Sequence, residues 1–99
     1  MPYVITFLDD PGTERKRQEF RPLHLEHVIR NAHRIIASGG LFADDGQTYT
    51  GGLIILDTDH RQEAIDYIES DPFFLQGIFS QYTVHRWRKA IFDHQRVTI

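Results

Sequence analysis

Thr48-Tyr49-Thr50-Gly51-Gly52-Leu53-Ile54-Ile55-Leu56 is the stretch on which the fold turns. Its apolar end is short and rich in β-branched residues, so it reads as a strand. Successive side chains of a strand point to opposite faces. Leu53 and Ile55 therefore share one face, and Ile54 and Leu56 the other. Both faces are apolar, and both need cover. Just upstream, Asp44-Asp45-Gly46 supplies turn chemistry, and Leu41-Phe42-Ala43 reads as a short partner strand. Tyr3-Val4-Ile5-Thr6-Phe7-Leu8 is β-branched and aromatic and stops at Asp9-Asp10-Pro11-Gly12, so it is a further strand. There Tyr3, Ile5 and Phe7 face one way, and Val4, Thr6 and Leu8 the other. Tyr82 to Ile91 alternates in part and reads as the last strand. Phe92 to Ile99 reads as a tail whose Val97 and Ile99 lie against a partner.

Two helices separate these strands. Pro22 suits a first helical position. Leu25, Val28, Ile29, Ala32, Ile35 and Ile36 then recur at helical spacing until Gly39-Gly40. The polar stretch Thr13 to Phe20 is expected to be a mobile loop leading to this helix. Asp59 and Gln62 form a capping pair for a second helix, whose buried stripe is Ala64, Ile65 and Ile68. Asp71-Pro72 ends it, and Phe73-Phe74-Leu75 adds one turn. The order strand, helix, strand, strand, helix, strand is the α+β, ferredoxin-like βαββαβ arrangement, with an antiparallel four-stranded sheet and both helices on one face. The other apolar face calls for a second copy of the sheet, so a homodimer packed through sheet faces is expected. A monomer with the long loop folded over the sheet is the alternative.

The 99 residues favour one domain, 1–99. A net charge of -3 gives no reason to expect nucleic acid or an anionic membrane as a partner. There is no cysteine, which excludes disulfides and thiolate metal sites. No apolar run reaches membrane-spanning length, and no signal pattern opens the chain. The expectation is a soluble, cytoplasmic protein.

The chain resembles the YCII-related family, a branch of the dimeric α+β barrel proteins. The likeness rests on Tyr3-Val4-Ile5, on Arg21-Pro22-Leu23-His24-Leu25, on Gly51-Gly52-Leu53-Ile54-Ile55, and on Asp71-Pro72-Phe73, with Gly77 and Tyr82-Thr83-Val84 following in order. It implies that fold, a homodimer, and an active-site pair of histidine and aspartate, which by motif fall on His24 and Asp71. It also points weakly to elimination or isomerisation of small products of aromatic-ring breakdown. Many members have Gly-Ser where this chain has Gly51-Gly52.

The residues themselves support proton chemistry. At a helix start His24 would be favoured as the neutral imidazole and could accept a proton. Asp71 would fix its tautomer and stabilise the imidazolium, while also capping the turn that Pro72 begins. Arg21, a poor capping residue, is either an anchor for an anionic group or a solvated arginine in a surface ion pair. Tyr3 and Phe73 are candidates for lining an apolar pocket, although aromatics at such positions are more often core. His24 and His27 lie three apart, but no metal-ligand pattern accompanies them, and no metal or organic cofactor is expected. The first functional reading is a small dimeric lyase or isomerase acting on a compact anionic metabolite of aromatic origin. The alternative is a non-catalytic dimeric module that binds a small ligand.

Overall fold

The computed structural model describes residues 1–97. Strand β1 is Tyr3–Leu8, helix α1 Glu14–Arg30, and a 3-10 turn at Ala32–Arg34 leads into β2, Ile35–Phe42. Strand β3 is Tyr49–Leu56, helix α2 Arg61–Glu69, the short helix α3 Pro72–Leu75, and β4 Tyr82–Arg86. Two further short strands, β5 at Ile91–Phe92 and β6 at Gln95–Arg96, form a separate hairpin. The main sheet has the order β2-β3-β1-β4 with every pair antiparallel. This is the ferredoxin-like topology expected from the element order.

The inner face of the sheet is the core. Tyr3, Ile5 and Phe7 of β1 stand beside Ile54 and Leu56 of β3 and Val84 of β4. Ala64, Tyr67 and Ile68 of α2 and Phe73 of α3 complete the same buried cluster. The outer face carries Val4, Leu53 and Ile55, all only partly buried, and Leu8, which is 67% exposed. The apolar character of both faces of β3 is therefore as the sequence predicts. Ile99 lies outside the described residues.

Helix α1 departs from the expectation at both ends. It begins at Glu14, so the predicted mobile loop 13–20 is its first two turns, and Pro22 lies inside it. Glu14, Arg15, Lys16, Gln18 and Glu19 are good helix formers, and propensity alone favours this start. The helix stops at Asn31, which back-bonds to the His27 carbonyl at 2.7 Å. Ile35 and Ile36 fall in β2, and Gly39 and Gly40 are paired strand residues, not a helix stop. The supposed aliphatic stripe is not what α1 buries. Ile29 is 72% exposed, whereas Arg17 and His27 are buried. Buried polar side chains share the inner side of the helix with Phe20, which packs on the core, a mixture that hydropathy periodicity does not detect.

Asp59 does not cap α2; it pairs with the N-terminal amine at 2.6 Å, and the helix start is tied instead by Thr58, which donates to Glu63 and accepts from the His60 amide. Strand β4 ends at Arg86, not Ile91: the Trp87 amide still bonds the Pro2 carbonyl, but Pro2 has no N–H to return the bond.

Candidate active site

Asp71 is the N-cap of α3, in extended backbone, with Pro72 at the first helical position. Its carboxylate accepts from the Phe73 amide at 2.9 Å, the bond expected of such a cap. The same carboxylate reaches across to α1. His24 Nδ1 lies 2.9 Å from Oδ1 and 3.0 Å from Oδ2 of Asp71. Asp71 is completely buried and His24 is partly exposed. An ionised carboxylate only accepts, so the tautomer that pairs with it carries the ring proton on Nδ1. That leaves Nε2, across the ring, as the nitrogen free for chemistry. Phe73 lies flat against the imidazole, with centroids 4.0 Å apart and planes 4° from parallel. The ring plane is thus fixed, and the pairing favours one tautomer.

His24 forms part of the wall of a cavity of about 250 Å³ between α1 and the inner face of the sheet. Arg17, Arg21, His24 and Val28 face it from α1, at the spacing of one helical side. Phe7, Gly52 and Gly40 form the sheet side, with Tyr49 beside them. The glycines make the space. A Cβ on Gly52 would sit 2.6 Å from the Phe7 ring, and one on Gly40 2.6 Å from the Tyr49 ring. At both positions an aromatic ring lies where any side chain would begin.

A model of the YCII-related domain matches residues 1–88. The chain belongs to the YCII-related family. Among solved structures it is similar to a 5-chloro-2-hydroxyhydroquinone dehydrochlorinase from Burkholderia phenoliruptrix AC1100, determined in complex with 2,5-dihydroxybenzoquinone. The two share 26% identity and a TM-score of 0.81, over 89% of this chain and 94% of the other. No curated protein matches it significantly.

Within this YCII-related chain, the site residues named from sequence are distributed unevenly. His24, Asp71 and Phe73 meet, and Arg21 lines the cavity one turn before His24. Phe73 is fully buried beneath the imidazole and serves as its platform, not as cavity wall. Tyr3 is not brought to this group. It lies at the far end of β1, where its hydroxyl accepts from Arg86 Nη2 at 2.9 Å. His24 stands in the third turn of α1, so the argument from a helix N-terminus does not apply to it. Arg21 is likewise within the helix, not its cap.

Two neighbours escaped the sequence. Arg17 donates through Nε to Asp9 Oδ2 at 2.6 Å and through Nη2 to the Gly51 carbonyl at 3.0 Å. Its guanidinium carbon lies 4.2 Å from the Tyr49 ring centroid and 4.8 Å from that of Phe73. It ties α1 to β1 and β3 at the cavity edge. His27 is the second: its Nε2 donates to the Tyr67 carbonyl at 3.1 Å, and burial holds its pKa below the ordinary 6.5, against the opposing charge of Asp71. Both residues would have stood out had 14–30 been read as one helix, since 17, 20, 24 and 27 fall on one side of it. His24 and His27 engage different partners, and no group of three or more His, Asp or Glu among the described residues could hold a metal ion. No helix among them is long and apolar enough to cross a membrane.

Proposed function

We propose that this protein is a cofactor-independent lyase or isomerase acting on a compact, anionic, ring-derived metabolite. The observation that carries the reading is the His24–Asp71 contact at the wall of the cavity. An imidazole with a buried carboxylate on Nδ1 has Nε2 ready to take a proton, and the carboxylate stabilises the imidazolium that results. An apolar void of about 150 Å³ accommodates benzene. A cavity of about 250 Å³ therefore suits one ring with a few substituents.

In the proposed reaction, Nε2 removes a proton from an acidic O–H or C–H of the bound ring. The electron pair left behind either expels an anionic leaving group or re-forms a double bond at a neighbouring position. The proton on Nε2 then passes to the product or to water. Arg21 holds an oxyanion of the substrate by charge-assisted hydrogen bonds. The structural likeness to a dehydrochlorinase supports elimination as the first reaction to assay. We further propose that the partly buried outer face, Val4, Leu53, Ile55 and the exposed Leu8, pairs with a second copy of the chain.

The test is turnover of chlorinated polyhydroxybenzenes, followed by chloride release and by absorbance. His24→Ala and Asp71→Asn are expected to reduce kcat by about 10²–10⁴-fold while circular dichroism stays unchanged. Wild-type turnover retained in both variants would remove the dyad from the mechanism.

A further inference from the structure

The chain carries a feature outside the matched YCII-related domain. Beyond residue 88, β5 and β6 form a hairpin that turns on Asp93 and His94, both at positive φ, 51° and 65°. Among the described residues, 89–97 make no hydrogen bond, ion pair or strand pairing with the body. Their hydrogen bonds and cation–π contact are internal, with the Val97 amide on the Ala90 carbonyl at 2.9 Å and Lys89 over the Phe92 ring at 4.8 Å. Ile91 is 64% exposed. A two-stranded hairpin of this size is not stable in water by itself. Charge divides the same way. Residues 89–97 carry Lys89 and Arg96 against the single acid Asp93, a net +1, so the rest of the chain carries -4.

A cleft of matching character lies at the other end of the sheet. It has a volume of about 740 Å³, with Leu8, Pro11 and Tyr49 as its apolar surface and Asp10 and Glu14 among its acids. It opens beside the dyad cavity, sharing Arg17, Arg21 and Tyr49 with it. The hairpin leaves the sheet at Arg86, opposite Tyr3, whereas the cleft is at Leu8, the other end of β1. A strand of this length spans roughly 17–20 Å, so a chain's own arm starts far from its own cleft. If facing sheets are related by a two-fold axis that runs across their strands, the Arg86 end of each copy lies over the Leu8 end of the other.

We propose that the 89–97 hairpin is an arm that seats in the Leu8–Tyr49 cleft of a second copy, Ile91 entering the apolar surface and the arm's cations meeting Asp10 and Glu14. By symmetry each copy gives one arm and receives one. Each site is then closed on one side by its partner. The inference rests on the sheet-to-sheet pairing proposed above, and the test separates the two.

The chain has no cysteine, so single cysteines report proximity without background. Full-length Leu8→Cys protein is mixed with full-length Ile91→Cys protein and oxidised. Ile29→Cys, at another exposed position, replaces Leu8→Cys as the control. Sedimentation of the unmodified chain runs alongside. The expected result is a dimer in which the 8–91 disulfide forms several-fold faster than the 29–91 control. A dimer with no such preference overturns the arm and leaves the pairing. A monomer overturns both. Intrachain closure of a Leu8→Cys, Ile91→Cys double variant at high dilution shows the arm on its own body and also overturns the proposal.

Discussion

Asp71 joins two structural demands in one carboxylate. Oδ1 accepts the amide that starts α3, and both oxygens face the imidazole proton of His24. Cap and proton partner are compatible because a carboxylate offers about four lone-pair sites. His27, one turn further along α1, behaves differently. It donates to a backbone carbonyl, and burial depresses its pKa below 6.5. The unfolded chain takes up a proton near 6.5 while the folded chain resists it. Unfolding free energy from this residue is therefore full above that pH, falls as pH drops below it, and levels off under the folded value. Urea unfolding between pH 5 and 8 is expected to show this slope in the wild type and a shallower one in His27→Gln. Parallel profiles would assign the acid sensitivity elsewhere. Tyr82 is pushed the other way, to about 12, by burial and by its bond to Glu69, and contributes nothing to that window.

At the scale of elements, the glycines of β2 and β3 shape the cavity, but they are not equivalent. A Cβ on Gly51 would lie 2.0 Å from the Phe7 carbonyl oxygen, which is backbone and cannot rotate away. Gly39, on the neighbouring strand, has nothing within 4 Å. Gly51→Ala is expected to cost at least the ~1–3 kcal/mol of core overpacking. Gly39→Ala should be neutral or stabilising by up to ~1 kcal/mol, since it restricts only the unfolded chain. Denaturant midpoints measure the contrast, and equal shifts would contradict the packing at Phe7. The same elements show what was legible. Strands β1 and β3 were readable because alternation and β-branching agree there with burial. Helix α1 was misplaced because Arg17, His24 and His27 occupy its inner side, where a hydropathy pattern seeks aliphatics. Ile35 and Ile36 then extended the apparent helix into β2. The dyad was legible only through its motifs, since His24 and Asp71 are joined by tertiary packing. A loop at 13–20 gives Arg17 no helical face, and Tyr49 carries no sequence signal of its own.

The whole molecule presents one sheet face to its own helices and leaves the other partly open. Val4, Leu53 and Ile55 alternate with core residues, as a strand with two apolar faces requires. A charge in the middle of that outer face meets water in a monomer and desolvation in a sheet-to-sheet dimer. Ile55→Asp is therefore expected to halve the solution mass with little change in the circular dichroism spectrum. Light scattering on the eluting protein reads the mass, and an unaltered mass would place any pairing on another surface.

The central claim is that His24 presents a bare Nε2 to the cavity, backed by Asp71 on Nδ1. Long-range proton–nitrogen correlation of the ¹⁵N-labelled protein at alkaline pH tests it most directly. The expected spectrum shows a protonated Nδ1 and an unprotonated Nε2 for His24, with the tautomer no longer fixed in Asp71→Ala. A His24 that carries its proton on Nε2 would contradict the account, because no base would then face the substrate.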